Sequence, residues 1–135
     1  YEIFKSPIIS DDSGLFVDAL DGRPGVHSKR YAGLNSTDVE NNQKLISELK
    51  TADNLSAFFK TVLCYFDGLN FLTSEGALKG NIILDPRGKN GFGYDPIFDV
   101  NGKTLAEMTL EEKSNISHRK IAAVKLVEML NEYKV

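Results

Sequence analysis

Residues 57–66, Ala57-Phe58-Phe59-Lys60-Thr61-Val62-Leu63-Cys64-Tyr65-Phe66, carry aromatic and β-branched side chains so densely that they read as a strand, and this run commits the chain to a sheet. Asp67-Gly68 follows at once and is the strongest short hairpin signal in the sequence. The chain then returns through Leu69–Thr73, is interrupted at Glu75-Gly76, and continues as a further strand from Ala77 to Leu84. Residues 57–84 are therefore expected as an antiparallel meander.

Elements on either side set the fold class. Ile8-Ile9 is expected as a short buried strand delivering a polar loop, Ser10-Asp11-Asp12-Ser13-Gly14, with Leu15–Leu20 extended again and closed by turns at Asp21-Gly22 and Pro24-Gly25. Thr37 with Glu40 forms a capping box, and Val39, Leu45, Ile46 and Leu49 mark one face of a helix over residues 37–50. Leu110-Glu111-Glu112-Lys113 is a polar helical turn. Ser117 caps a closing helix in which Ile121, Val124, Val127 and Leu130 recur at helical spacing. Parallel-type buried strands, a meander and flanking helices give an α/β, mixed α+β, sandwich around one sheet. The 135 residues suffice for a single domain.

Composition excludes several classes. A net charge of −3 provides no global basic field for nucleic acid. The single cysteine, Cys64, rules out an internal disulfide or a cysteine-based zinc cluster and is expected as a small buried hydrophobe. No apolar stretch is long enough to span a bilayer and no secretory leader is seen, which favours the cytosol. Neither a P-loop nor a GxGxxG nor a two-histidine zinc motif occurs.

Three polar clusters can carry chemistry. Adjacent carboxylates on an extended segment point to opposite sides, so Asp11 and Asp12 cannot both serve one ion; one faces a site while the other is satisfied by backbone or cations. Mg²⁺ takes one or two protein carboxylates plus phosphates and water, which suits a single Asp of the pair, whereas an Asx-type turn is the competing structural reading. In Lys89–Pro96, glycines flank Phe92 so that backbone N–H groups can approach a ligand and the ring can stack on a base; the competing reading is a turn with Phe92 and Tyr94 pointing inward. Lys113, His118 and Arg119 gather potential cations near a helix start, though a His-Arg pair on a helix is often simply solvated. His27, Arg30 and Tyr31 form a weaker group of the same kind.

In this order the clusters resemble the inosine triphosphate pyrophosphatase family. The matching runs are Ser10–Leu15 continuing through Pro24–Gly33, Asn90–Phe98, and Glu112-Lys113-Ser114 with Ser117-His118-Arg119. The resemblance implies Mg²⁺-dependent hydrolysis of deaminated purine nucleoside triphosphates to the monophosphate and pyrophosphate by a cytoplasmic homodimer. It implies Asp12 as proton acceptor and metal ligand, and Ser13, Phe92, Gly93, Tyr94, Asp95, Lys113, His118 and Arg119 as substrate contacts. It also implies an earlier strand leading to a Ser/Thr-x-Asn-x-x-Lys loop and a metal-binding glutamate, neither of which is in this sequence. The chain is thus expected to be the larger, C-terminal portion of that fold. A non-catalytic nucleotide-binding or dimerisation module is the alternative.

Overall fold

The computed structural model describes residues 1–133. Its strands are β1 (Ile8–Val17), β2 (Pro24–Gly25), β3 (Ser56–Phe66), β4 (Phe71–Ile82), β5 (Phe98–Val100) and β6 (Lys103–Thr104). Its helices are α1 (Asp38–Leu49), α2 (Leu110–Asn115) and α3 (His118–Tyr133). The strands form one sheet in the order β2-β1-β3-β4-β5-β6, and every pairing among the described residues is antiparallel. The mixed α+β architecture is therefore as expected, built without the parallel-type strands read from the sequence.

Cross-strand register sorts the side chains. Ser13, Thr61 and Gly76 lie in one row, followed by Leu15, Phe59 and Leu78, and all belong to one face. On that face lie α1, α3 and the segment 83–116. The fully buried Leu15, Val17, Leu45, Leu49, Ile82, Ile97, Phe98 and Leu105 form the core there. Each such side chain stabilises the fold by about 1.5–3 kcal/mol through removal from water. The alternate row, Asp12, Val62 and Glu75, faces the opposite side, which no helix among the described residues packs over, although Lys125 and Met129 of α3 line a depression with Val62 and Glu75; Val62 and Phe71 are exposed there.

Local signals in the sequence translate well. Thr37 caps α1 in a reciprocal capping box with Glu40, and α2 starts with the same device at Thr109 and Glu112. The hairpin closes through Asp67–Asn70, where the Asp67 carboxylate accepts from the backbone N–H groups of Leu69 and Asn70.

Several expectations are corrected. β1 is one continuous strand, not two around a polar loop, because all ten of its residues pair with β3; Ile8 and Ile9 are exposed rather than buried. β4 is likewise continuous, so the meander is a two-stranded hairpin. Gly76 does not break it: a methyl there would collide with the His118 carbonyl oxygen and the Ala122 nitrogen, so glycine is what lets α3 sit on the strand. For that reason α3 buries the small Ala122 and Leu126, leaving Ile121, Val124 and Val127 substantially exposed. Val39 is exposed on α1, while Leu45 and Leu49 are buried as expected, and Cys64 is only half-buried. Among the described residues no helix is long and apolar enough to cross a membrane.

Candidate active site

The pleat of β1 separates the two aspartates. Asp11 lies on the helix side, where its Oδ2 accepts from Arg119 Nε at 2.8 Å. Arg119 also donates from Nη2 to Ser13 Oγ at 3.1 Å, and Ser13 Oγ lies 2.7 Å from the hydroxyl of buried Thr61. A planar guanidinium has five N–H donors, so three remain available after these two contacts. Asp12 points to the helix-free side and lines a shallow depression with Val26, Lys60 and Val62. Its exposed carboxylate makes no ion pair or side-chain hydrogen bond among the described residues.

The loop following Lys89 is held from several directions. Asn90 donates from Nδ2 to the Met108 carbonyl at 3.1 Å. The buried Asp95 carboxylate accepts from the Phe92 N–H at 3.1 Å and pairs with Lys113 Nζ at 2.5 Å. The ammonium also sits 4.6 Å from the centre of the Phe92 ring, a cation–π arrangement. Tyr94 is buried and donates to the Ser28 carbonyl, and burial raises its hydroxyl well above the ordinary tyrosine value. Phe92, by contrast, stays open, 70% exposed. The structure thus splits the two aromatics: Tyr94 packs inward, and Phe92 lies free to stack.

His118 opens α3 and stacks on Phe59, with ring centres 5.2 Å apart. Burial, reinforced by the Arg119 charge, pulls its pKa down to about 4, with Asp95 acting in the opposite sense. The imidazole is therefore neutral near pH 7 and presents one donor and one acceptor.

These groups enclose a cavity of about 510 Å³ that brings together Ser13, Phe92, Gly93, Tyr94, Asp95, Lys113, His118 and Arg119. A cavity of this size holds a small organic ligand. Asp12 is not in its lining. Sequence reading missed Ser28, Lys29, Asp38, Asn41 and Phe59, which also face it. Lys29 takes the place expected of its neighbours His27 and Arg30, which contact one another at the surface. Asp38 was visible only as an acidic residue in a capped first turn. Among the described residues no three His, Cys, Asp or Glu side chains converge as a metal cluster. The unpaired Asp12 carboxylate fits Mg²⁺ as one ligand among phosphate oxygens and waters.

The antiparallel α+β fold that carries this cavity matches known proteins. The chain belongs to the Ham1 family, whose model matches residues 1–129. It is 50% identical over 127 residues to a dITP/XTP pyrophosphatase of Caldanaerobacter subterraneus, covering 91% of this chain and 64% of that protein. The dITP/XTP pyrophosphatase of Geobacter sulfurreducens is 49% identical over 118 residues, covering 84% of this chain and 59% of that protein. The structure superposes on the Staphylococcus aureus Ham1 protein with a TM-score of 0.92 at 38% identity, covering 99% of this chain and 71% of that one. A HAM1 protein from Coxiella burnetii gives 0.89 at 44% identity, covering 96% and 69%. The chain spans just under two thirds of the length of the curated relatives it matches first.

Proposed function

We propose that this chain carries the base-recognition and water-activating parts of a Mg²⁺-dependent hydrolase. Its substrates are deaminated purine nucleoside triphosphates (ITP, dITP, XTP), cleaved to the monophosphate and pyrophosphate and so removed from the nucleotide pool. The observation that carries this reading is the convergence of Ser13, the 92–95 loop, Lys113, His118 and Arg119 on one cavity. The names of the relatives support the same reaction.

The purine stacks against the open Phe92 ring, with its polar edge toward neutral His118 and the spare donors of Arg119. A 6-keto oxygen accepts from those donors. A 6-amino group leaves them unpaired, at a cost on the order of 1–3 kcal/mol. β1 pairs with β2 only at Leu15 and Phe16, so its edge over residues 8–13 has no strand beside it among the described residues. The triphosphate runs over that open edge past Ser13 and reaches Asp12 on the other side. There Asp12 orients a water and takes its proton as the water oxygen attacks the α-phosphorus. The bond from that phosphorus to the bridging oxygen breaks and pyrophosphate leaves. Asp12 is the residue that would hold a Mg²⁺ ion, which would supply charge neutralisation there.

A second reading, a nucleotide-binding module without turnover, is supported by the sparse phosphate side, where Lys60 and Asp12 are the charged groups in the depression. Release of pyrophosphate from inosine triphosphate with Mg²⁺ decides between them. Asp12→Asn should lower it by about 10²–10⁴-fold, the usual weight of a general base. Binding without turnover in the wild type would leave only the module. The same reading makes the protein a cytosolic homodimer. The exposed Val62 and Phe71 on the helix-free face support self-association, which sedimentation equilibrium measures directly.

A further inference from the structure

The first turns of α1 touch both walls of the cavity. Asp38 Oδ2 accepts from the Gly93 N–H at 2.9 Å, and Asn42, one turn later on the same side, donates from Nδ2 to the Gly93 carbonyl at 3.2 Å. Both backbone groups of one residue are thus held by two side chains 51 and 55 positions away. Gly93 itself has φ of 60°, a conformation in which side chains are disfavoured and which unrestrained glycine would leave freely. It lies between Phe92, the stacking ring, and Tyr94, the buried anchor.

Asn41 does the matching work on the opposite wall. It is buried, accepts from the Ala32 N–H at 2.8 Å and the Ser36 hydroxyl at 2.7 Å, and donates to the Lys29 carbonyl at 3.0 Å. An acidic residue at the start of a helix is explained by the helix dipole alone, and a capped helix needs nothing more. The dipole does not explain why Asp38 and Asn42 close on the two backbone groups of a single residue in a distant loop.

We infer that Asp38 and Asn42 are positioning residues which clamp Gly93 and thereby set the Phe92 ring for stacking on the purine. The inference rests on the functional reading above. It adds that base affinity is controlled from α1, by residues outside the matching motifs of the resemblance. Asp38 is exposed and can be changed without opening the core.

The test uses Asp38→Ala and Asp38→Asn in the 135-residue chain, with two ligands and one ligand-free readout. Asp38→Ala should weaken binding of inosine by about tenfold, the weight of one charge-assisted hydrogen bond, and leave binding of inorganic tripolyphosphate with Mg²⁺ unchanged. Asp38→Asn keeps an acceptor and should restore most of the inosine affinity. In the free chain, hydrogen exchange at the Gly93 amide should quicken about tenfold in Asp38→Ala and return in Asp38→Asn. Equal loss for both ligands, unchanged inosine binding, or unchanged exchange at Gly93 each overturns the clamp. A wild type that binds tripolyphosphate but not inosine refutes the base-pocket reading itself, and a loosened Gly93 amide would then show a clamp with no ligand to serve.

Discussion

The two faces of the sheet share the same three long strands and do opposite things. On one, Leu15, Phe98 and Leu49 are sealed from water, and the polar groups of the cavity are tied down: Asp95 to Lys113, Asp11 to Arg119, Tyr94 to Ser28. On the other, Asp12 and Val62 stand in solvent, with Lys60 reaching across to Glu75 at 3.0 Å. Under the proposed function, a flat base would meet polar groups already held in place by their partners on the first face. The role proposed for Asp12, handling water and a hydrated cation, needs access, and the exposed face gives it that.

The contrast can be broken by mutation. Phe98→Ala empties a fully buried site and should lower unfolding free energy by about 3–5 kcal/mol, read from a urea midpoint; its counterpart on the bare side, Phe71→Ala, should cost less than about 1 kcal/mol. Similar losses at the two positions would show that something covers the helix-free face in solution. Arg119→Ala should narrow the preference for inosine over adenosine triphosphate by about tenfold, within the 1–3 kcal/mol expected of an unpaired donor. If both substrates decline equally, Arg119 holds the site together through Asp11 and does not read the base.

The smallest effect is the pH dependence of His118. Its folded pKa, about 4, lies below the ordinary value of 6.5, so the unfolded chain binds more protons between these limits. The stability it contributes is complete above about pH 6.5 and is lost as pH falls toward 4, by an amount on the order of 1–2 kcal/mol. His118→Asn should flatten that part of the stability curve. An unchanged acid limb would assign it to the carboxylates instead.

Legibility in the sequence followed the range of the interactions. The Thr37 and Glu40 box and the Asp67 turn could be read because every partner lies within three residues. The polar run Ser10–Gly14 was misread as a loop because its strand character comes from β3, some fifty residues on. The closing helix was misjudged for a similar reason: its packing face is chosen by Ser74 and Gly76 of β4, which accept Ala122 and not a larger neighbour. The family motifs located eight of the cavity residues. Lys29 and Asp38 escaped because one sits in an ordinary surface turn and the other in an ordinary helix start, and only the fold brings them to the cavity.

Gly76 has a reach beyond its own strand. Because nothing but hydrogen stands between its Cα and the first turn of α3, the thickness of one residue fixes how near His118 and Arg119 stand to Ser13. The strand acts as a gauge block for this wall of the cavity. A change as slight as Gly76→Ala would lift the helix start and widen the gap between imidazole, guanidinium and serine hydroxyl together. Under the proposed function, base discrimination would thus depend on Gly76, which does not line the cavity.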